Sequence, residues 1–344
     1  MAHAGISISL EEFSARLTAA VARHIGPPGT IFDLQRLTGG ATKSTWSFDA
    51  DVAGARNPFI LQLASSHSPV PDPLAGITPH LTAEEDARVM IAAVRGGVPA
   101  PRVRAILGEP DGLDPGYITE RIPGESLGAR IARDDRFAKA RSVMASQCGT
   151  ILAAIHRLDP AELPFLTPQS AQQMLAAQYQ IVDHYGFRLP ALELGLRWAA
   201  ENLPKNPRNT VIHGDFRNGN LIAGEEDGIR CILDWEIAGI GDAMYDLGWL
   251  CVKTWRFGGR NPVGGFGSRE DLFAAYEAAS GLSVDPAHVR FWEAFGCIRW
   301  AVICLQKGLR FTDATEPISI EQSAIGRRTE EPLWDFLNLI EDRA

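Results

Sequence analysis

The sequence is short of basic residues, of paired cysteines and of long apolar runs, and each shortage excludes something. Lysine and arginine total 33 against 42 acidic residues, a formal net charge of −9. A reader of nucleic-acid phosphates needs a basic face, so nucleic acid is excluded as the main partner. The five cysteines, Cys148, Cys231, Cys251, Cys297 and Cys304, are odd in number and scattered, with no C-x-x-C spacing. Most lie in apolar segments, which points to buried free thiols. No run of about 18 uncharged apolar residues occurs, so no membrane span is expected. Glu11 and Glu12 stand where a secretion signal would need an apolar core, so a cytoplasmic protein is expected. No internal repeat or low-complexity tail is present. The 344 residues suffice for one large or two smaller domains.

The densest chemistry lies between Val211 and Asp246. His213-Gly214-Asp215, Asn220 and Asp234 each sit at the edge of a short apolar run. Leu221–Ala223 and Ile229–Leu233 read as strands, and Glu225-Glu226-Asp227-Gly228 between them reads as a turn. Asn220 and Asp234 are equally distant from position 227, so the folded hairpin is expected to set them opposite each other. An amide oxygen and a carboxylate at one end of a ribbon, with Asp215 nearby, suit Mg²⁺, which also takes phosphate oxygens and water. Asp215 to Asn220 has the D-x-x-x-x-N spacing of a kinase catalytic loop.

Upstream, Ser9 to Glu12 reads as a capping box before a helix carrying Phe13, Leu17, Ala20, Val21 and Ile25. Phe32–Leu37, Thr45–Val52 and Pro58–Ala64 read as three strands. Gly39 and Gly40 link the first two, where glycine would let backbone N–H groups approach phosphate oxygens and Ser44 or Thr42 would add a hydroxyl. Thr82 and Glu85 form a second capping box before a helix bearing Ala87, Met90, Ile91 and Val94. From about Ser126 the pattern turns helical, with helices at Ala140–Leu158, Ala171–Tyr185, Ala191–Asn202, Ala243–Arg256, Glu270–Ser280, Pro286–Leu309 and Glu330–Glu341. Core packing or helix capping accounts for His156. The Gly258–Gly267 stretch is mobile by composition; it borders a substrate site or serves as a solvent connection.

His-Gly-Asp with Asn220, then Asp234-Trp235-Glu236, resembles the aminoglycoside phosphotransferase and choline kinase-like family from about Leu34 onward. Val98-Pro99-Ala100-Pro101-Arg102-Val103 resembles the family's V-P-x-P-x-V segment, and Ser268-Arg269-Glu270, Gly281 and the Ser323–Arg328 stretch resemble the branch associated with acyl-CoA dehydrogenases. The resemblance implies an α+β, bilobed protein kinase-like fold. Residues 1–121 would form an antiparallel-sheet, nucleotide-binding N-lobe, and residues 122–344 a mainly helical catalytic and substrate-binding C-lobe. It implies transfer of the γ-phosphate of ATP (or GTP) to the hydroxyl of a small molecule, a hydroxyacyl compound among the options. Asp215 would accept or orient the hydroxyl proton. Asn220 and Asp234 would hold Mg²⁺. His213 and Asp246 would brace the loop, and Arg217 would touch phosphate or substrate, or pair with Asp215 or Asp246. Gly39, Gly40, Lys43, Ser44 and Gln62 would face the phosphates, with Glu120 to Ile122 against the base.

Two departures stand out. The third strand of such kinases carries a lysine or arginine where this chain has Gln62, and the helix partner is Asp86 instead of glutamate. The ion pair that holds the α- and β-phosphates is therefore expected to be missing from its usual place. This motivates a second hypothesis, a catalytically weak or non-enzymatic nucleotide- or metabolite-binding relative. Lys43 has two readings: an exposed turn lysine, or a replacement for the absent cation. Trp235, Trp255, Trp292 and Trp300 suggest apolar lining of a cleft, or core.

Overall fold

A computed structural model describes residues 8–37, 43–64, 74, 76–309 and 320–341. The chain forms two compact units: 1–123 with 162–165 and 231–238, and the remainder.

The first unit begins with α1 (Leu10–His24), followed by β1 (Pro28–Arg36), β2 (Lys43–Val52) and β3 (Ala55–Ala64). Then come α2 (Ala83–Arg95), β4 (Val103–Leu107) and β5 (Gly116–Glu120). The strands make one antiparallel sheet in the order β1-β2-β3-β5-β4. Side chains alternate along a strand, so the sheet has two unlike faces. Trp46, Phe48 and Ala50 of β2 lie on the same face as Phe59, Leu61 and Leu63 of β3, and with Phe13, Leu17, Ala20 and Val21 of α1 they make the core of this unit. Phe13 meets Trp46 with ring centroids 4.8 Å apart. On the opposite face, Thr45 pairs with Gln62, and Gln62 pairs with Tyr117. Lys43, two residues before Thr45, shares that face and is the diagonal neighbour of Gln62.

The caps explain where the helices start. Thr82 and Glu85 form the expected reciprocal box, with Thr82 N donating to Glu85 Oε2 at 2.9 Å and Glu85 N to Thr82 Oγ1 at 3.3 Å. The box expected at Ser9 is only half made. Ser9 Oγ accepts from Glu12 N at 3.1 Å, but the Glu12 carboxylate turns to Arg16 one turn on.

The second unit contains α3 (Gly128–Arg133), α4 (Ala138–Ile155), β6 (Pro168–Gln169), α5 (Ala171–Tyr185), α6 (Pro190–Glu201) and β7 (Asn209–Ile212). These are followed by β8 (Leu221–Gly224), β9 (Gly228–Ile232), β10 (Gly239–Asp242) and α7 (Ala243–Cys251). The last elements are α8 (Arg269–Ser280), α9 (Pro286–Leu309), α10 (Ile320–Gly326) and α11 (Glu330–Ile340). β8 and β9 form the expected hairpin, and Gly228 takes φ +80° at its turn, a conformation open to glycine at no steric cost. β6, β10 and β7 form a small sheet that periodicity did not reveal, because strands of two to four residues carry almost no pattern. α7 packs on α9 across Gly248, where any Cβ would fall 2.5 Å from Trp292 Cβ. α7 is shorter than expected: Val252 leaves helical geometry at φ −53°, ψ 129°, and a 3₁₀ turn covers Lys253–Arg256.

The Gly-rich stretch corrects its expectation. It is not a loose connection but a set of tight turns with bridges Asn261–Gly265 and Val263–Gly267. Val263 and Phe266 are buried within it. Its glycines permit close backbone packing, so composition misread compactness as mobility.

Candidate active site

The segment Val211 to Asn220 puts its polar groups into one network in the second unit. Asp246, on α7, is fully buried and holds the His-Gly-Asp turn through the backbone. Its Oδ2 accepts from His213 N at 2.8 Å and its Oδ1 from Gly214 N at 3.0 Å. His156, which caps α4, lies with Nε2 3.2 Å from Asp246 Oδ2 and Nδ1 3.0 Å from the Tyr276 hydroxyl. A carboxylate only accepts, so Nε2 carries the proton and Nδ1 takes the phenol proton. Burial pushes the Tyr276 hydroxyl up to about 12, which keeps it a donor. The His213 ring is buried and accepts from Asp215 N through Nδ1 at 3.2 Å.

Asp215 is surrounded by donors. Trp249 Nε1 donates to Oδ1 at 2.7 Å, Asn220 Nδ2 to Oδ2 at 2.7 Å, and Arg217 Nε to Oδ1 and Oδ2 at 3.0 and 3.1 Å. Of the two pairings open to Arg217, the structure has the one with Asp215, and the guanidinium also lies over Trp255 at 4.5 Å. Asn218, next to Arg217 in sequence, is buried and donates to Gly128 O at 3.2 Å and Gly264 O at 2.7 Å. The Gly-rich turns therefore back the loop that carries Asp215.

The first unit assembles a second network around Lys43. Its ammonium sits 2.5 Å from Asp86 Oδ2 and 3.1 Å from Glu236 Oε2, with the side chain 11% exposed. The exposed-turn reading of Lys43 is thereby ruled out. Burial by itself would lower this ammonium; Asp86, Glu236 and Asp234 outweigh it and hold the pKa above its ordinary value. The Tyr117 hydroxyl contacts both Gln62 Oε1 and, at 2.7 Å, Asp86 Oδ2. One phenol has one proton, so that proton serves Asp86 and the Gln62 amide turns its nitrogen toward the phenol oxygen. Lys43 thus pairs with the α2 acid that Gln62, being neutral, cannot. Gln62 and Ser44 are both partly buried on their strands.

Asp234 belongs to this unit and has φ +66°, an uncommon conformation for a residue with a Cβ. Its segment is tied down on both sides: Ile232 N donates to Pro99 O at 2.7 Å and Leu81 N to Glu236 O at 2.7 Å. At the end of β5, Glu120 pairs with Arg104, while the Ile122 N–H just beyond has no partner among the described residues. Gly39, Gly40 and Thr42 lie outside the described residues.

Among the described residues no group of three or more His, Cys, Asp or Glu side chains could hold a metal. The donor chemistry instead fits a hard cation that takes phosphate oxygens. Both Asn220 Nδ2 bonds go to Asp215, which leaves the amide oxygen without a protein partner among the described residues.

Sequence reasoning missed Trp249 and Glu236. Trp249 lies in an apolar helix, and its helical offset from Asp246 puts the indole nitrogen on Asp215. Trp235 and Trp292, by contrast, are fully buried core and line nothing. The five cysteines are all buried and unpaired.

Residues 33–292 match the family described as the phosphotransferase enzyme family. The chain belongs to that family. It is a phosphotransferase with a kinase-like α+β fold. It is 26% identical over 280 residues to acyl-CoA dehydrogenase family member 10 of Mus musculus, covering 74% of this chain and 25% of that protein. The chain spans about a quarter of the length of the curated relatives of this kind that it matches. Among solved structures, a spectinomycin phosphotransferase in complex with ADP and spectinomycin has TM-score 0.65 at 12% identity, covering 96% of this chain and 99% of the other. Choline kinase from Cryptosporidium parvum Iowa II has TM-score 0.61 at 11% identity, with coverages of 97% and 96%. No described helix is long and apolar enough to cross a membrane.

Proposed function

We propose that this phosphotransferase is a small-molecule kinase that moves the γ-phosphate of ATP (or GTP) to an alcohol, a hydroxyacyl or other hydroxylated metabolite. The observation that carries this reading is the Lys43–Asp86 pair at 2.5 Å. It answers the absence of a basic residue at position 62, the strongest argument for a non-catalytic relative. In the reaction, the acceptor oxygen bonds to the γ-phosphorus while the bond from that phosphorus to the β–γ bridging oxygen breaks. The electron pair leaves on the nucleoside diphosphate, and the hydroxyl proton passes to Asp215. Positioning and charge neutralisation supply most of the rate in such transfers.

In this reading residues 1–121 serve the nucleotide and 122–344 the acceptor. Lys43, with Gly39, Gly40 and Ser44, meets the phosphates, Gln62 adds amide hydrogen bonds, and the Glu120–Ile122 backbone meets the base. Asn220 and Asp234 hold Mg²⁺, which supplies charge neutralisation on the phosphate oxygens when bound. His213 and Asp246 keep the loop in position. We assign the activity to the cytoplasm, where both nucleotide and Mg²⁺ are at hand.

A second reading, a nucleotide- or metabolite-binding relative without turnover, draws on Arg217. Its Nε spans both oxygens of Asp215, so an acceptor hydroxyl must displace it or share the carboxylate. Thermal shift with Mg·ATP, followed by a phosphate-transfer screen across alcohols, separates the readings. Transfer to any alcohol, lost in Asp215→Asn, supports the kinase. A nucleotide-induced shift with no transfer supports the binder.

A further inference from the structure

Arg256 and Arg269 stand on either side of the Gly-rich turns, and both reach one carboxylate. Arg256 closes the 3₁₀ turn before them, and Arg269 opens α8 after them. Arg256 Nη2 donates to Glu293 Oε1 at 3.0 Å, and Arg269 Nη2 donates to Oε1 and Oε2 at 2.8 and 2.6 Å. Glu293 lies on α9 and is buried. Arg256 also donates from Nε and Nη2 to Cys251 O at 3.3 and 3.1 Å, which ties the same end of the turns to α7. Burial raises the Glu293 carboxyl in spite of both arginines, so the buried charge works against stability. Apolar side chains of similar volume often hold a fold as well or better.

Phe257, the residue after Arg256, carries a second cost. It takes φ +47°, ψ 36°, a left-handed conformation uncommon for a residue with a Cβ. Its ring packs against two glycines. A Cβ on Gly128, where α3 begins, would fall 2.5 Å from Phe257 Cε2, and a Cβ on Gly219 would fall 3.5 Å from Phe257 Cζ. Gly219 immediately precedes Asn220, inside the loop that carries Asp215. Asn218, one residue earlier, donates to Gly264 O in the same turns. The loop therefore leans on the clamped segment at two successive residues, through a backbone oxygen at Asn218 and a ring at Gly219. Desolvation at Glu293 and strain at Phe257 both serve that one segment, and strain of this kind persists only where its surroundings over-determine it.

We propose that Glu293 and Phe257 are positioning residues for phosphoryl transfer. The Glu293 clamp fixes the turns, the Phe257 ring fixes Gly219, and Asp215 and Asn220 thereby keep their spacing. Neither residue meets a reacting atom; both act through the loop. Asn220 Nδ2 donates to Asp215 O at 3.0 Å and to Asp215 Oδ2 at 2.7 Å, so a displaced Gly219 takes the amide off the carboxylate. A misplacement of about 1 Å that starts away from the chemistry costs on the order of 100-fold in rate.

This inference rests on the kinase reading, and the test keeps the two apart. Hydrogen exchange of the peptide spanning residues 215–220 is followed by mass spectrometry in the wild-type chain, Glu293→Gln, Glu293→Asp and Phe257→Gly. That peptide exchanges about 10-fold faster in Glu293→Gln and Phe257→Gly, a local opening, while α5 and α6 exchange as in the wild type. Glu293→Asp keeps the charge and recovers part of the protection. Transfer from Mg·ATP is assayed on glycerol, glucose, choline and 3-hydroxybutyrate. For whichever of these the wild type accepts, kcat falls about 10- to 100-fold in the first two variants, with KM for the acceptor unchanged. Glycine suits a left-handed backbone, so Phe257→Gly removes the ring without straining the turn and carries the test should Glu293→Gln fail to fold. Faster exchange throughout the chain marks a purely structural role and overturns the inference. Unchanged exchange at 215–220 also overturns it, as does local loosening with kcat at its wild-type value. Local loosening in a chain that transfers phosphate to no alcohol overturns the kinase reading and leaves the hold on the loop standing, whereas unchanged exchange in a chain that does transfer phosphate does the reverse.

Discussion

The network around Lys43 and the network around Asp215 are built on opposite imbalances. In the first unit a single buried cation contacts two carboxylates and feels a third, Asp234, so negative charge is in surplus. In the second unit the Asp215 carboxylate draws on a guanidinium, an indole and an amide, so around it, among the described residues, donors outnumber the one group they serve. Under the proposed function a divalent cation would relieve the first surplus, and an acceptor hydroxyl would share the donors of the second. The imbalances also differ in depth. The carboxylate of Asp86 is fully buried, whereas Arg217 and Asp215 keep about a fifth of their side chains exposed. Removing a charge from the first network strands a buried ion. Removing one from the second leaves an ion that water can reach.

Asp215→Asn gives the largest effect and the sharpest contrast. Turnover should fall by about 10²–10⁴-fold, the range for a lost general base, with nucleotide affinity nearly unchanged. The melting temperature should move little, because Asn still accepts a hydrogen bond and Arg217 is partly solvated. Near-normal turnover in a clean preparation removes Asp215 from the base role.

Lys43→Ala tests the other side. Nucleotide affinity or turnover should drop by one to two orders of magnitude, on the order of 1–3 kcal/mol for a charge-assisted contact. Unlike Asp215→Asn, it should also destabilise the fold, by about 3–5 kcal/mol, because Asp86 is left buried and uncompensated. Gln62→Lys in that background should restore part of both, since position 62 is the diagonal neighbour of 43 on the same face. Equal loss of stability in Lys43→Ala and Asp215→Asn, read from urea midpoints, would erase the comparison.

Legibility from sequence follows the same division. The Asp215 network was largely readable because its parts lie close in the chain: His213, Asp215, Arg217 and Asn220 span eight positions, and D-x-x-x-x-N fixes their type. Asp246, a little further on, was expected to brace the loop, and its bonds to His213 N and Gly214 N have that form. The Lys43 network was only partly readable. The departure at Gln62 was plain, and replacement by Lys43 was one of two readings; the register that sets both on one face comes from the structure. Glu236, which joins Lys43 from 193 positions further along the chain, gives no local signal. Trp249 was invisible for a different reason: on an apolar helix a tryptophan looks the same whether it packs or binds. The Gly-rich turns show the opposite error, since glycine content tracks backbone freedom and also permits tight backbone contact.

Acid should distinguish the units further. In the first, burial of Asp111 would raise its carboxyl, but the Gly108 N–H, His24 and Arg23 outweigh that and hold it below the ordinary value. A lowered carboxylate stabilises the fold above its unfolded pKa, about 3.9, and that contribution is lost as pH falls through the folded value. In the second, burial raises Glu293 despite Arg269 and Arg256, so its ionisation opposes folding as pH climbs through the same region. The stability gap between wild type and Asp111→Asn should therefore be full at about pH 6 and close toward pH 3. A gap that does not vary with pH would show that the Asp111 charge contributes nothing.

The smallest effect concerns how Asp86 reaches Lys43 at all. Asp86 is in the first turn of α2, one residue after Glu85, and the Thr82–Glu85 box fixes where that turn begins. Losing the box frees the first N–H groups of the helix but leaves Ala87, Val89, Met90 and Ala93 buried against the unit. Thr82→Ala should therefore cost about 1 kcal/mol, the usual value of an N-cap, with α2 still formed. Ser9→Ala should cost less, because the reciprocal half of that box is unmade and Glu12 is committed to Arg16. If the cap only sets stability, the Michaelis constant for nucleotide stays at its wild-type value in Thr82→Ala. If fraying lets Asp86 drift, the Lys43 ammonium turns toward Glu236 alone and nucleotide affinity weakens by a few-fold. Urea midpoints for both alanine variants, measured beside nucleotide titrations, decide whether the first turn of α2 only anchors the helix or also aims the charge.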